Sequence, residues 1–294
     1  MPYESGFRDG LFSNQTIFIP GGGGGLGRCI AHELTALGAD VVLAGRSMEK
    51  LEKTSDEIVE DGRRVLGCYT AEFRNEAEVC ALVTSMLEKH GPIDGLVNAA
   101  GGQFPAQLKE LSLNGWNAVL DNNLTSYFLL AREVFNQCLA ERGGSIVNIG
   151  ADHDRGMAGM GHNGAARAGL SNFTFTAATE WAHAGVRVNC VLPGFIATTG
   201  LDRYPPEDWD SLRSIDRRIP LGRHGRAAEI SAMVVFLMSE MAAYITGAEF
   251  RVDGGIHNGT GSFLFDSPAV TRSKVYDGFH RDEQPKLLDG AESG

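Results

Sequence analysis

The sequence predicts a single α/β domain, a doubly wound parallel sheet of about seven strands, and three observations carry that prediction. First, short apolar or β-branched runs at 16–19, 41–44, 65–68, 95–98, 145–149, 187–191 and 250–252 alternate with helical patterns. The helical patterns fall at about 26–37, 48–61, 76–90, 116–141, 165–183 and 227–239. Such alternation requires crossover helices on both faces of a parallel sheet. Second, a run of five glycines, Gly21 to Gly25, lies between the first strand and the first helix. Third, 294 residues with 43% hydrophobic content can bury a sizeable core within one domain.

The charge balance narrows the partners. A formal charge of −11 argues against a nucleic-acid surface, which needs clustered Lys and Arg. An anionic small molecule fits, because a site can be locally basic in an acidic protein. The five cysteines, Cys29, Cys68, Cys80, Cys138 and Cys190, are scattered without metal-ligand or C-x-x-C spacing. Reduced thiols and no metal site are expected. The first ten residues lack the apolar core of a signal peptide, and no apolar stretch is long enough for a membrane span. A cytoplasmic protein is expected.

Ligands on a doubly wound sheet bind beyond the carboxyl ends of the strands, so the strand-to-helix turns are where chemistry is sought. The first strand runs into Pro20-Gly21-Gly22-Gly23-Gly24-Gly25-Leu26-Gly27. Glycines there let the backbone turn tightly and approach a pyrophosphate, which sits on the positive helix N-terminus, as in a Rossmann fold. Gly21, Gly25, Leu26 and Gly27 are the residues expected at the dinucleotide. The second strand ends Ala44-Gly45-Arg46-Ser47, with no carboxylate to hold a ribose diol. Arg46, with Ser47 beside it, can pair with a 2′-phosphate, which favours NADP(H) over NAD(H). Glu72, after the third strand, is placed to meet the adenine amino group.

With these turns in place, residues 11–255 resemble the short-chain dehydrogenase/reductase family. The glycine turn matches the family's T-G-x-x-x-G-x-G through Gly21, Gly25 and Gly27, with Pro20 replacing the Thr. Asn98-Ala99-Ala100-Gly101 resembles its N-[NA]-A-G turn, which implies support of cofactor and sheet. Asp121-Asn122-Asn123-Leu124 puts Asn123 at the family's active-site Asn. Pro193-Gly194-Phe195-Ile196-Ala197-Thr198 resembles its P-G-x-[IV]-x-T segment, which implies that Pro193, Gly194, Ile196 and Thr198 meet the nicotinamide carboxamide. Ile245-Thr246-Gly247 and Val252-Asp253-Gly254-Gly255 resemble its closing segment.

The family's Ser-Tyr-Lys catalytic set has no counterpart by this reading. Ala151 falls at the Ser position after the fifth strand. Aligned on Ala168-Gly169, Asn163 takes the Tyr position and Arg167 the Lys position. These two are spaced i,i+4, on one helix face. Arg167 can keep a ribose contact, but its guanidinium stays charged and relays no proton. Asn163 can donate a hydrogen bond to a carbonyl but cannot protonate it. The surrounding text resembles the enoyl-CoA and dienoyl-CoA reductase branch, and bacterial citronellol or citronellal dehydrogenase-like members. Enoyl reduction mainly needs an enolate oxygen stabilised, which Asn163, Asn123 and backbone N–H groups would supply. His162 or water would then give the proton; a His satisfied by a helix-start hydrogen bond is the equal alternative.

Two segments stand outside the alternation. Residues 195–225, rich in charge and Pro, read as a substrate lid. Arg213 and Arg217 there, i,i+4, either meet an anionic substrate or, the preferred reading, form a solvated helix face. Residues 256–294 form a polar extension with Phe263, Phe265, Tyr276 and Phe279, which either wraps a neighbouring subunit or stays partly unordered. Residues 1–255 are thus the NADP(H)-binding domain. The resemblance implies a homodimer or homotetramer.

Three functions remain open at this point. The leading one is an NADPH-dependent reductase of an enoyl or carbonyl substrate, such as an acyl-CoA thioester. The second is a non-redox enzyme, a dehydratase, isomerase or cyclase, with Asp152, His153 or His162 as acid or base. The third is an inactive dinucleotide-binding subunit.

Overall fold

The computed structural model describes residues 2–259 and 272–288. One seven-stranded parallel sheet has the order β3-β2-β1-β4-β5-β6-β7. Its strands are β1 (Thr16–Pro20), β2 (Asp40–Gly45), β3 (Val65–Thr70), β4 (Gly95–Asn98), β5 (Gly144–Ile149), β6 (Val186–Pro193) and β7 (Glu249–Val252). The order reverses between β1 and β4, which opens a crevice at their carboxyl ends.

Both faces of the sheet are buried, so its strands read as continuous apolar runs rather than alternating ones. Side chains nonetheless alternate by face. Ile17, Ile19, Val41, Leu43, Val147 and Val191 pack beneath α1 (Gly25–Ala36) and α9 (Ala227–Met238). Phe18, Val42, Leu96, Ile146 and Val188 meet α3 (Glu76–His90), α5 (Ser126–Val134) and α7 (Gly161–Trp181) on the other side. Each such side chain, fully buried, contributes about 1.5–3 kcal/mol.

The helices begin where capping residues stand. Ser47 accepts the Lys50 N–H ahead of α2 (Met48–Glu60), and Asn75 accepts from Ala77 and Glu78 ahead of α3. A cap at Ser112 starts α4 (Leu113–Leu120) three residues before the expected 116. From there a helical run continues to Arg142, through π-turns at Asp121–Thr125 and Phe135–Leu139, as α5 and α6 (Ala140–Arg142). Helix α7 also starts early, at Gly161 rather than 165. Gly161 and Gly164 hide that start from a propensity reading.

Residues 195–225 fold into short turns around α8 (Trp209–Arg213), followed by a 3₁₀ turn at Ser214–Arg218. A short α10 (Ile256–Gly259), unexpected from the sequence, is capped by Asp253, whose carboxylate accepts the Gly255 and His257 N–H groups.

Residues 272–288 of the extension pack on their own chain. Phe279 is buried against His32 and Tyr3, under the Arg28 guanidinium. Tyr276, Ser5 and Tyr3 all donate hydrogen bonds to the buried Glu33 on α1, at 3.1, 2.7 and 3.1 Å. Leu287 is fully buried beside the 195–225 segment, where its carbonyl accepts from Arg213. Phe263 and Phe265 lie outside the described residues. Among the described residues, no helix is long and apolar enough to cross a membrane.

Candidate active site

The crevice is lined first by backbone. Gly21 has φ +88°, and a Cβ there would lie 2.5 Å from the Ala100 nitrogen. A Cβ on Gly27 would lie 2.2 Å from the Gly21 carbonyl oxygen. The turn and the start of α1 are therefore closed to any side chain on the sheet side. On the outer side the opposite holds. Nothing lies within 4 Å of a Cβ built at Gly24 or Gly25, and the N-terminus of α1 carries no side-chain cap. Uncapped N–H groups facing open space form a cradle for an anionic group, so the residues present fit a dinucleotide pyrophosphate. Pro20 keeps the role its position needs, since its carbonyl accepts the Ala99 N–H at 2.9 Å.

At the end of β2, Arg46 is exposed and makes no hydrogen bond or ion pair among the described residues. Ser47 is the cap of α2. Glu72 is held by Arg74 at 2.8 Å, and that hydrogen bond keeps its carboxyl below the usual range. The carboxylate expected at the adenine is thus already paired.

The turn after β4 shows a division of labour. The Asn98 side chain is buried and donates to Asn148 on β5 at 2.9 Å, which donates to Thr174 on α7 at 3.0 Å. The Asn98 side chain therefore ties two strands to a helix. Ala99, Ala100 and Gly101 line the crevice beside Gly21. A Cβ at Gly101 would press within 3.0 Å of Arg167 and 2.9 Å of Asn123.

Asn123 and Arg167, each set at a family site position by the resemblance, are in contact. Arg167 is 6% exposed and donates to Asn123 Oδ1 and to the Ile149 carbonyl, both at 2.8 Å. Its guanidinium lies over the ring of the buried Tyr127 at 5.6 Å. Asn123, inside a π-turn, accepts the Gly102 N–H and donates to the Gly102 and Val119 carbonyls at 2.8 and 2.9 Å. Both of its N–H groups are engaged, so the expected donation from Asn123 to a substrate oxygen is corrected. The residue fixes Arg167 and the 101–102 turn instead.

Asn163 is also buried. Among the described residues its Nδ2 has only the Met157 sulfur, at 3.3 Å, and its Oδ1 has no partner. His162 departs from both of its expected roles. It is fully buried, its two ring nitrogens lack hydrogen bonds among the described residues, and Phe104 packs edge-on against it with centroids 4.7 Å apart. A side chain so enclosed is not positioned to exchange protons with water.

Asp152 and His153, the alternative acids or bases, belong to a separate network. Asp152 pairs with Arg251 at 3.5 Å and His257 at 3.0 Å, and Asp154 pairs with Arg251 and with His153 at 3.1 Å. Burial works to raise the Asp152 carboxyl, but His257 and Arg251 outweigh it and hold it below the ordinary range. Asp152, Asp154 and His257 approach one another closely enough to share a cation. The Arg251 guanidinium already matches both carboxylates.

On the last side, Pro193 ends β6, and Gly194 passes so close to β7 that a Cβ would lie 2.6 Å from the Asp253 Cα. Ile196 is buried and bridges to Gly225. Thr198 opens the segment that follows, accepting the Leu201 N–H through its carbonyl. Arg213 and Arg217 do not share a helix face, because α8 ends at Arg213 and a 3₁₀ turn follows. Arg213 is tied to Asp210 and to the Leu287 carbonyl, whereas Arg217 is exposed. Sequence reading missed the wall that this segment completes. Tyr204 reaches the Met160 sulfur at 3.9 Å, and Trp209 donates to the Tyr204 carbonyl at 3.0 Å. No spacing in 195–225 marks Tyr204 out.

The fold and the glycine turn define a doubly wound domain of the dinucleotide-binding type. Residues 22–257 match the family model described as enoyl-(acyl carrier protein) reductase. A citronellol catabolism dehydrogenase of Pseudomonas aeruginosa PAO1 has a similar structure, with 51% sequence identity and a TM-score of 0.78 over 86% of this chain and 99% of that one. A peroxisomal 2,4-dienoyl-CoA reductase of Danio rerio is 35% identical over 248 residues, 83% of this chain and 82% of that protein. A 3-oxoacyl-[acyl-carrier-protein] reductase of Synechocystis is 36% identical over 245 residues, 82% of this chain and 96% of that protein. An actinorhodin polyketide ketoreductase solved with NADPH superposes with a TM-score of 0.79 at 30% identity, over 85% of this chain and all of that one. The chain belongs to the short-chain dehydrogenase/reductase family of oxidoreductases.

Proposed function

We propose that the protein is an NADPH-dependent reductase of an unsaturated carbonyl compound, with the enoyl group of a thioester favoured over a simple ketone. The observation that carries this reading is the pair on α7: Asn163 and Arg167, buried side by side, neither able to give up a proton at neutral pH. A ketone reductase that draws its acid from this helix has none here, whereas hydride delivery to a β-carbon needs from α7 chiefly a donor that stabilises an enolate. Asn163, whose N–H now has only a sulfur, is such a donor. The names of relatives support an oxidoreductase of acyl substrates, and the ketoacyl reductases among them keep a carbonyl substrate as the variant of the same proposal.

When bound, the reduced nicotinamide supplies hydride. The chain's own residues do the rest. The start of α1, Gly25 to Gly27, presents uncapped N–H groups to a pyrophosphate, and Arg46 with Ser47 receives a 2′-phosphate. Arg167, braced by Asn123 and Ile149, turns its remaining N–H groups toward a ribose. Pro193, Gly194, Ile196 and Thr198 back the carboxamide side, and residues 195–225 close over the substrate. Exposed Phe128 on α5 and Phe175 on α7 support a homodimer or homotetramer formed through these helices, in the cytoplasm. Light scattering on the eluted protein measures that state; a monomer contradicts it.

The test is a fluorescence titration with NADPH and NADH, followed by NADPH consumption with enoyl thioesters, enones and simple ketones. The reading predicts NADPH binding at least about 10-fold tighter than NADH, and consumption with the conjugated substrates. Equal affinity for both dinucleotides, or activity confined to simple ketones, contradicts it.

A further inference from the structure

Reduction of a C=C bond requires a proton as well as a hydride, and α7 supplies no acid. Asn163 and Arg167 cannot act as one. His162 is closed in under Phe104, and both N–H groups of Asn123 are engaged. Tyr127 is buried and donates its hydroxyl to the Ile149 carbonyl at 3.0 Å.

The remaining phenol near the start of α7 comes from another element. Tyr204, half-buried, reaches over to Met160, the residue immediately before α7, and its hydroxyl donates to the thioether at 3.9 Å. The arrangement parallels that of Asn163, whose N–H donates to the Met157 sulfur at 3.3 Å. A thioether is among the weakest acceptors in a protein, and a carbonyl or enolate oxygen is far better. Two donors from two different segments are thus parked on the sulfurs of Met157 and Met160, which both precede the start of α7. The Tyr204 backbone is anchored, since its carbonyl accepts from Trp209. The surrounding segment is anchored too: Asp202 accepts the Leu287 N–H at 3.4 Å and Arg213 donates to the Leu287 carbonyl. Exposed Phe104 and Leu108 add an apolar wall beside the helix start, suited to a hydrocarbon chain.

We infer that Tyr204 is the proton donor of this site, acting with Asn163 on the carbonyl oxygen of an α,β-unsaturated carbonyl compound with an apolar chain. The inference rests on the reductase reading for its hydride. The β-carbon gains the hydride with its electron pair, and the C=C π pair shifts to leave an enolate. The Tyr204 O–H bond breaks, its proton passes to the enolate oxygen, and the enol then ketonises in water. The phenolate recovers a proton from water at its exposed side. The balance is one hydride from the dinucleotide, one proton from water, and a saturated carbonyl product.

Two measurements test it, and the first needs no turnover. Cinnamaldehyde, whose ultraviolet band moves to longer wavelength when its carbonyl accepts strong hydrogen bonds, is titrated into the protein with NADP⁺. The expected result is a red shift that shrinks in Tyr204→Phe and in Asn163→Ala. A full shift in Tyr204→Phe, or none in the unsubstituted protein, overturns the assignment. In the second, Tyr204→Phe lowers kcat with an enoyl thioester by about 100-fold, with NADPH affinity unchanged. Incorporation of 3-fluorotyrosine, a more acidic phenol, moves the alkaline limb of the kcat profile to lower pH. A kcat within twofold of the starting protein, or an unmoved limb, overturns the role. Failure of the reductase reading shows separately, as absence of NADPH consumption by the unsubstituted protein on every conjugated substrate.

Discussion

The turn after β1 and the helix after β5 lie at the same end of one sheet, yet they are built on different principles. The first works through backbone. Its glycines are fixed by close approaches to Ala99, Ala100 and Gly21 itself, and the uncapped start of α1 that follows, at Gly24 and Gly25, borders open space. The second works through side chains, and the identities of those side chains decide the chemistry. A backbone cradle keeps its function through changes such as Pro20, whose carbonyl still bonds Ala99. A side-chain site has no such tolerance: in the proposed function, Asn163 and Arg167 make the same helix a set of donors without an acid. The comparison teaches that cofactor use and reaction type can diverge within one domain, because different parts of the chain specify them.

The largest expected effect breaks the first region. In Gly27→Ala the new methyl meets the Gly21 carbonyl at 2.2 Å, a backbone atom that cannot step aside cheaply. We expect about 3 kcal/mol of lost stability in urea unfolding and NADPH affinity down by at least about 100-fold. A protein that binds NADPH normally would refute the cradle.

Arg167→Ala tests the second region. It removes the bonds to Ile149 and Asn123 and leaves their acceptors buried. Turnover should fall at least about 100-fold and NADPH affinity about 10-fold, with Arg167→Lys recovering part of each. Unchanged turnover measured by NADPH absorbance contradicts the role given to Arg167.

Arg46→Ala sharpens the contrast between the two cofactors. One charge-assisted pair is worth about 1.5–3 kcal/mol, so NADPH affinity should drop about 10- to 100-fold while NADH affinity holds. Equal losses for both dinucleotides would mean that Arg46 does not read the 2′-phosphate.

The smallest effect concerns the extension where it crosses α1 and α2. Burial, the larger influence, pushes His32 down to about 4 despite Glu57 beside it. Burial works to raise Glu57 and Asp61, but Arg28 and His32 on one, and Arg281 and His280 on the other, hold both below the ordinary carboxylate range. Each shift has the same sign: between folded and unfolded values the unfolded chain binds more protons, so acid destabilises this hub. Loss should begin below about pH 6.5 through His32 and deepen below about pH 4 as the carboxylates protonate. Hydrogen exchange in 276–288 as a function of pH should rise in that order; flat protection from pH 7 to 4 contradicts it.

The sequence shows the sheet better than the site. Strands such as Gly95–Asn98 and the helix Glu76–His90 were legible to the residue, because buried parallel strands are unbroken apolar runs and α3 carries the Asn75 cap. The positions of Asn123 and Arg167 came separately from the family resemblance; the hydrogen bond between them was not legible. The enclosure of His162 was not, since it depends on Phe104, some sixty residues away in the chain. Nor was the place of Tyr204, because irregular turns have no periodicity to project a side chain. The path of 272–288 was hidden for the same reason: Phe279 and Leu287 are single apolar residues in polar text, and only tertiary contact reveals them as anchors.

The most direct test of the account follows the hydride. The protein is supplied with an enoyl thioester and NADPH carrying deuterium at the transferable position, and the product is analysed by mass spectrometry and NMR. The account predicts a saturated thioester with deuterium on the β-carbon. An allylic alcohol or aldehyde with deuterium on the former carbonyl carbon would contradict it, and would return α7 to carbonyl chemistry without its usual acid.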